Sequence, residues 1–314
     1  MPRFLAFATL CCCAILGMSR PHAAGHPDLQ GNWTNRFATP LERPLELRDK
    51  PLLTDAEVRT LNTQAARSYN EGHVIVVPSG RSLLTLLNDP AHFDAAATYD
   101  PAFFTEMEFE NRTSLITDPP DGRLPAYTPE GQRRRDAKPP AEPESVADLP
   151  FDTRCITFGM PRIAGIAGTP SAGIYAYYQI VQTNESIVFF MEAIHEARII
   201  PLNRSAHPSP SIRSWNGDSR GHWEGDTLVA DTTNIRPEVN FLGAGENMHL
   251  TERFRLVSPG ELDYEVRVDD PTTWTRPWTA MVRLKRTTEQ LYEFGCHEGN
   301  LETVKAILTA PKRQ

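Results

Sequence analysis

From residue 151 onward, apolar and polar residues alternate with a period of two. Over 262–268, Leu262, Tyr264, Val266 and Val268 share one face, and Asp263, Glu265 and Arg267 share the other. Over 249–256, Leu250, Glu252, Phe254 and Leu256 lie together, opposite His249, Thr251, Arg253 and Arg255. Successive side chains of a strand point to opposite faces, so each run reads as a strand with one apolar side. Further branched and aromatic runs occupy 174–183, 186–193, 198–202, 227–233, 278–286 and 292–296. Turn sequences separate them: Asn184-Glu185, Glu224-Gly225-Asp226 and Ser258-Pro259-Gly260. About eight strands with short connections predict an antiparallel domain over 151–300. Its expected form is an eight-stranded barrel, lipocalin-like, or a sandwich.

The region 26–150 has a different texture, rich in proline and poor in long periodic patterns. It is expected to wrap around the β domain. Thr54 and Glu57 form a capping box ahead of the apolar stripe Val58, Leu61 and Ala65, which predicts a helix. Thr128, Pro129 and Glu130 open a second, short one. Between them, 113–117 reads as a strand running into the turn sequence Asp118-Pro119-Pro120-Asp121-Gly122-Arg123. A last short helix is expected over 301–309, followed by a tail.

Composition then narrows the class. The chain has 314 residues, 40% hydrophobic and 23% charged, within the ordinary globular range. A formal net charge of -8 without a basic stripe argues against nucleic acid as a partner. The first 25 residues read as an export signal: Arg3 supplies a positive start, 4–18 is uncharged and apolar, and Ala23-Ala24-Gly25 offers a small-residue cleavage site. That apolar run is short for a bilayer span, which needs about 20 residues, and none follows it. The mature chain is therefore expected outside the cytoplasm, periplasmic or secreted, with no membrane span.

Removing the signal takes three of five cysteines and leaves Cys155 and Cys296. In an oxidising compartment two survivors most simply pair, and two buried thiols are the alternative. A Cys–His pair using His297 fits poorly, because an exposed thiolate is lost to oxidation there.

Several strings across 112–300 carry a resemblance. They include Arg112-Thr113-Ser114-Leu115-Ile116, Ser211-Ile212-Arg213-Ser214-Trp215, and the run from Gly217 through Gly221-His222-Trp223-Glu224-Gly225-Asp226-Thr227-Leu228-Val229. Asp231-Thr232-Thr233-Asn234, His249-Leu250-Thr251-Glu252-Arg253-Phe254, the run from Asp270 through Trp274-Thr275-Arg276-Pro277-Trp278 to Thr279, and Cys296-His297-Glu298-Gly299-Asn300 extend it. With these the chain resembles a large family of uncharacterised secreted bacterial proteins. The resemblance implies a secreted β-rich protein with recurrent polar motifs, and it implies no activity.

The sharpest chemical signal is acid on apolar faces. Glu252 sits among Leu250, Phe254 and Leu256, and the same parity puts Glu192 with Val188, Phe190 and Ile194. Inward carboxylates must be paired or have perturbed pKa values. Joined with His195 and His249, they make a candidate acid–base set: Glu192, His195, His249 and Glu252. Arg276 is the candidate holder of an anion, and Trp274, Trp278 and Tyr177 the candidate ligand wall. The structural alternative pairs the two glutamates with Arg198, Arg253 or Arg276 and makes the aromatics core filling. His195, His249, His297 and His222 lack any compact metal-ligand spacing, so no metal is expected. No Gly-x-Ser-x-Gly elbow, Walker loop or GxGxxG is present, and no cofactor is expected. Three readings follow. The first is an exported cofactor-independent enzyme, of lyase, isomerase or hydrolase type, acting on a small hydrophobic or aromatic molecule. The second is a lipocalin-like binding protein without turnover, and the third an envelope structural protein.

Overall fold

A computed structural model describes residues 25–71, 107–137, 143–162 and 177–309. The expected export signal, apart from Gly25, lies outside the described residues. So do 72–106 of the proline-rich region and the start of the run 174–183.

Ten strands form one antiparallel sheet. They are β1 (Gly31–Thr34), β2 (Ile116–Asp118), β3 (Tyr177–Gln182), β4 (Ser186–Met191), β5 (Glu196–Pro201), β6 (Asp218–Glu224), β7 (Thr227–Thr233), β8 (His249–Ser258), β9 (Glu261–Asp269) and β10 (Trp278–Thr287). Two meanders, β3–β5 and β6–β10, are joined by β1, giving the order β5-β4-β3-β1-β10-β9-β8-β7-β6, with β2 pairing β10. Trp33 of β1 lies opposite Tyr178 on one side and Arg286 on the other. The fold is thus mainly β and antiparallel, as the alternation predicts.

Three details differ from the sequence reading. Strands β1 and β6 are additional, and 292–296 is not a strand: Cys296 begins helix α3 (Cys296–Thr309). β1 is only four residues long, and β6 reads Asp-Ser-Arg-Gly-His-Trp-Glu, too polar to declare an apolar face. Its inward positions are Ser219, Gly221 and Trp223, set opposite Thr232, Ala230 and Leu228 of β7.

Even-numbered positions of β7 to β10 form the interior. Leu228, Ala230, Leu250, Phe254, Leu262, Tyr264, Val266, Val268, Ala280, Val282 and Leu284 are all buried. Burying one such large side chain contributes about 1.5–3 kcal/mol relative to exposure, which fixes the register against a one-residue slip. The sheet curls until its edge strands β5 and β6 meet without backbone pairing. A side chain at Gly221 has no room there: a Cβ would stand 2.7 Å from Ile200 Cγ2 and 2.8 Å from Leu202 Cδ2. The result is a barrel-like roll with one unpaired seam.

The N-terminal region packs a second, smaller core. Helix α1 (Asp55–Asn70) starts at the expected capping box, with Thr54 accepting from Glu57 N and the Glu57 side chain reaching back to Thr54 N. It buries Leu61 and Ala65 against Leu47, Leu53, Met107 and Phe109. Helix α2 (Pro129–Asp136) is capped by Thr128, whose hydroxyl accepts from Gly131 N at 3.0 Å. Gly131 rests on the backbone of Thr273, where a Cβ would lie 2.3 Å from the Thr273 carbonyl oxygen.

Cys155 and Cys296 are disulfide-bonded, with Cα atoms 5.8 Å apart and a sequence separation of 141. The bond ties the loop ahead of β3 to the first turn of α3. In the chain-entropy account it contributes roughly 4–5 kcal/mol by restricting the unfolded chain. Among the described residues no helix is long and apolar enough to cross a membrane.

Candidate functional site

The interior of the roll holds a small cavity of about 30 Å³. Strand register builds it. Tyr178 faces Met191, Phe189 faces Arg198, and Phe254 faces Tyr264, so each pair delivers two side chains to the same level. Glu252, Leu284, and Met160 and Arg162 from the loop ahead of β3 complete the lining. The exposed surface of the cavity is almost wholly apolar, because its charged residues are occupied with one another.

The larger of those polar groups is centred on Glu252, which is fully buried. Arg198 crosses the seam to reach it. Its Nη1 donates to Glu252 Oε1 at 2.9 Å and its Nη2 to Oε2. The rest of the guanidinium is also used, Nε donating to Ser219 Oγ at 3.0 Å and Nη2 to Thr232 Oγ1 at 2.8 Å. Tyr264 donates its hydroxyl to Glu252 Oε1 at 2.7 Å, and Thr232 donates to Oε2 at 3.2 Å. Burial works to lower the Arg198 pKa, but the charge and hydrogen bonds of Glu252 outweigh it and leave the pKa raised. The Tyr264 hydroxyl is pushed well above its ordinary value, first by burial and then by the Glu252 charge. This is a closed ion pair: a carboxylate accepting from four donors has no lone pair poised for a substrate proton.

A second pair stands beside it. Arg162 Nη2 donates to Glu196 Oε2, while Glu196 Oε1 accepts from Thr157 Oγ1 at 2.7 Å and from Asn216 Nδ2. Burial lowers the Arg162 pKa to about 10, so its guanidinium remains charged at neutral pH. Its Nε is buried and has no hydrogen-bond partner.

The structure does not gather the four residues expected to do acid–base chemistry. Of them only Glu252 lines the cavity. Its pairing with Arg198 is the structural alternative weighed from sequence. Glu192 follows β4, whose buried positions are Ile187, Phe189 and Met191, so the parity that placed Glu192 inward is reversed. It accepts from Tyr292 N at 3.1 Å, and half-burial raises its pKa. His195 Nε2 accepts from Phe294 N at 3.0 Å, which puts the ring's proton on Nδ1 if the ring is neutral. Ile194 and His195 have φ of 58° and 52°, and this turn breaks the alternation. His249, three residues from Glu252 on β8, faces the outside.

The expected ligand wall is also redistributed. Trp274 and Trp278 are 1% and 0% exposed and pack edge to face at 5.4 Å under Tyr127 and Phe241. They are core, positioned by the contact of α2 with Thr273, and not a mouth. Arg276 between them is half-exposed and pairs with Asp118 at 3.0 Å. Tyr177 points to the opposite face from Tyr178, and burial raises its pKa to about 12. Sequence reasoning passed over Arg162, and it read Tyr264 as part of an apolar strand face without a polar partner. The available signal for Arg162 was its standing as the only charge between Phe158 and Thr169.

On the outer face, five titratable groups form a chain. His207 Nδ1 meets Asp218 Oδ1 at 2.7 Å and its Nε2 meets Asp231 Oδ1 at 3.0 Å. Asp231 Oδ2 takes His249 Nε2 at 2.5 Å, and Arg220 Nε donates to Asp218 Oδ1 at 2.7 Å. Among the described residues no group of three or more His, Cys, Asp or Glu is arranged to hold a metal ion.

No protein-family model matches the chain, and no curated protein matches it. A solved structure of a secretary abundant heat soluble protein from Ramazzottius varieornatus is similar at 14% identity and a TM-score of 0.26. That similarity covers 37% of this chain and 75% of the other, too slight to carry an argument.

Proposed function

We propose that the protein is exported and binds a small, largely apolar molecule inside the rolled sheet, without turning it over. The cavity carries this reading. Its volume is small, about 30 Å³, well below the roughly 300–1,000 Å³ of drug-sized pockets, so the occupant it supports is correspondingly small. Met160, Phe189, Met191, Phe254 and Leu284 give it an apolar wall, and among the described residues the acid and bases that line it, Glu252, Arg162 and Arg198, are ion-paired. A cavity costs the fold packing energy, about 24 cal/mol per Å³ in engineered cores, so an occupant of matching shape stabilises the folded state. The export signal of the sequence and the disulfide both suit a protein that works outside a reducing cytoplasm.

The test is calorimetric titration of the wild type and Met191→Trp with ethylbenzene, a small neutral apolar probe. Saturable binding by the wild type, lost in a variant whose indole fills the cavity, is the expected result. No binding by the wild type, or equal binding by a folded Met191→Trp, defeats the proposal.

A further inference from the structure

The seam between β5 and β6 is held from both sides. Inside, Arg198 of β5 reaches Ser219 of β6, Thr232 of β7 and Glu252 of β8. Outside, the loop that leaves β5 at Leu202 crosses the seam and lies on the outer face of β6 and β7. His207 Nδ1 meets Asp218 Oδ1 at 2.7 Å and its Nε2 meets Asp231 Oδ1 at 3.0 Å, so one ring fastens the loop to both strands. Further contacts flank it. Arg220 Nη1 donates to Ser205 Oγ at 2.7 Å, and Asn234 Nδ2 to the carbonyls of Pro208 and Ser209 at 3.1 and 3.3 Å. A neutral imidazole carries one N–H and one lone pair, and a carboxylate can only accept. Both contacts of His207 are therefore hydrogen bonds only when the ring is protonated on both nitrogens. With one proton gone, a ring nitrogen and a carboxylate oxygen face each other as two acceptors, and that contact is lost.

The charged groups about this ring are Asp218 and Arg220 on β6 and Asp231 on β7. Behind Asp231 stand His249 on β8 and Arg267 and Asp269 on β9. Burial works to raise the Asp231 carboxyl, but the hydrogen bonds of His249 and His207 outweigh it and hold it below its ordinary range. Asp231 thus stays an acceptor well into the acid side, and the histidine is the group that changes as pH rises. We infer that the loop 203–213 is a pH-operated strap over the seam, fastened while His207 carries two ring protons and loosened when it loses one. Opening is local: the strap and the adjoining end of β5 are freed, while Arg198 keeps the roll closed from within. This holds whether or not the cavity takes a ligand.

Hydrogen exchange of the full chain, read by mass spectrometry at about pH 5.5 and about pH 8 and corrected for intrinsic rates, tests it. Protection over 203–213 should fall about tenfold at the higher pH. Protection over 196–202 should fall with it, and 261–269 should keep its value. His207→Gln, which has no ring proton to lose, should show the lower protection at both values. His249→Gln keeps the His207 bridge and should retain the fall. In the wild type, the ring nitrogen NMR signals of His207 should show two N–H groups at the lower pH and one at the higher, with the same midpoint as the loss of protection. Equal protection at both pH values, or a fall that survives in His207→Gln, overturns the strap. A fall abolished by His249→Gln assigns the response to the other histidine and overturns it as well. Loosening confined to 203–213, with 196–202 unchanged, overturns its hold on the seam. Should His207→Gln fail to fold, the wild-type titration decides, since a ring midpoint apart from that of the protection overturns the proposal.

Discussion

Strand β8 places a carboxylate inside the roll and an imidazole outside it, three residues apart, and the two networks they belong to obey different physics. Glu252 is fully buried and receives hydrogen bonds from Arg198, Tyr264 and Thr232. His249 is 45% exposed and shares the half-exposed Asp231 with His207. Inside, water cannot replace a lost partner, so each deletion leaves a charge or donor stranded. Outside, solvent screens the charges and fills a vacancy cheaply. The same residue types thus support the fold in one place and respond to pH in the other. A sequence motif that counts acids and histidines cannot separate the two.

The largest effect should come from breaking the inner pair. Glu252→Gln leaves Arg198 charged and buried without its counter-ion, and should lower stability by about 3–5 kcal/mol, read from urea unfolding. A double change, Arg198→Met with Glu252→Leu, removes both charges and should recover most of that loss. If Glu252→Gln proved as stable as the wild type, the contrast between the two faces would collapse, and an unpaired, reactive Glu252 would return as a candidate. Tyr264→Phe is the milder probe. It withdraws one donor from Glu252 while Arg198 and Thr232 remain, and should cost about 1–3 kcal/mol by the same measurement.

How much of this was legible depends on whether the information was local. The inward faces of β8 and β9 followed from alternation, because a side chain every second residue is a property of the strand itself. The caps at Thr54 and Thr128 were legible for the same reason, and the Cys155–Cys296 pairing followed from counting. β1 was not legible: its four residues become a strand through pairing with β3 and β10, more than a hundred residues away. Parity failed at Glu192 because both faces of β4 are apolar, Ile187, Phe189 and Met191 on one and Val188 and Phe190 on the other, so alternation alone could not say which face is inward. Trp274 and Trp278 read as a mouth because of the polar Thr275-Arg276 between them. Only the seating of α2 on Thr273 shows that those two face solvent while both indoles face inward. Arg162 belongs to no periodic element, so its role in the cavity emerges only from the folded loop.

The outer network makes the smallest prediction and the one with a sign to check. The hydrogen bond and charge of Asp231 hold the His249 pKa above its ordinary 6.5, with Asp269 adding to the rise and Arg267 opposing it. Burial works to raise Asp231, but the hydrogen bonds of His249 and His207 outweigh it and leave its carboxyl below the ordinary 3.8. Around them stand Asp218, paired with His207, and Arg220, paired with Asp218. A raised histidine contributes stability below the unfolded value and loses it as pH rises through the folded value. A lowered aspartate contributes above the unfolded value and loses it as pH falls through the folded one. The advantage of the wild type over Asp231→Asn should therefore be greatest between the two ordinary values, 3.8 and 6.5. It should shrink on either side, and at this exposure stay within about 1 kcal/mol. Melting temperatures of both proteins across pH 3 to 9 test it on the scale of ordinary side-chain titration. The inner pair supplies the control, because the loss caused by Tyr264→Phe should not follow the same profile. A loss in Asp231→Asn that is flat with pH, or that grows steadily above pH 7, would mean the outer carboxylate acts as a buried structural acceptor like Glu252, and the distinction between the two faces of β8 would be gone.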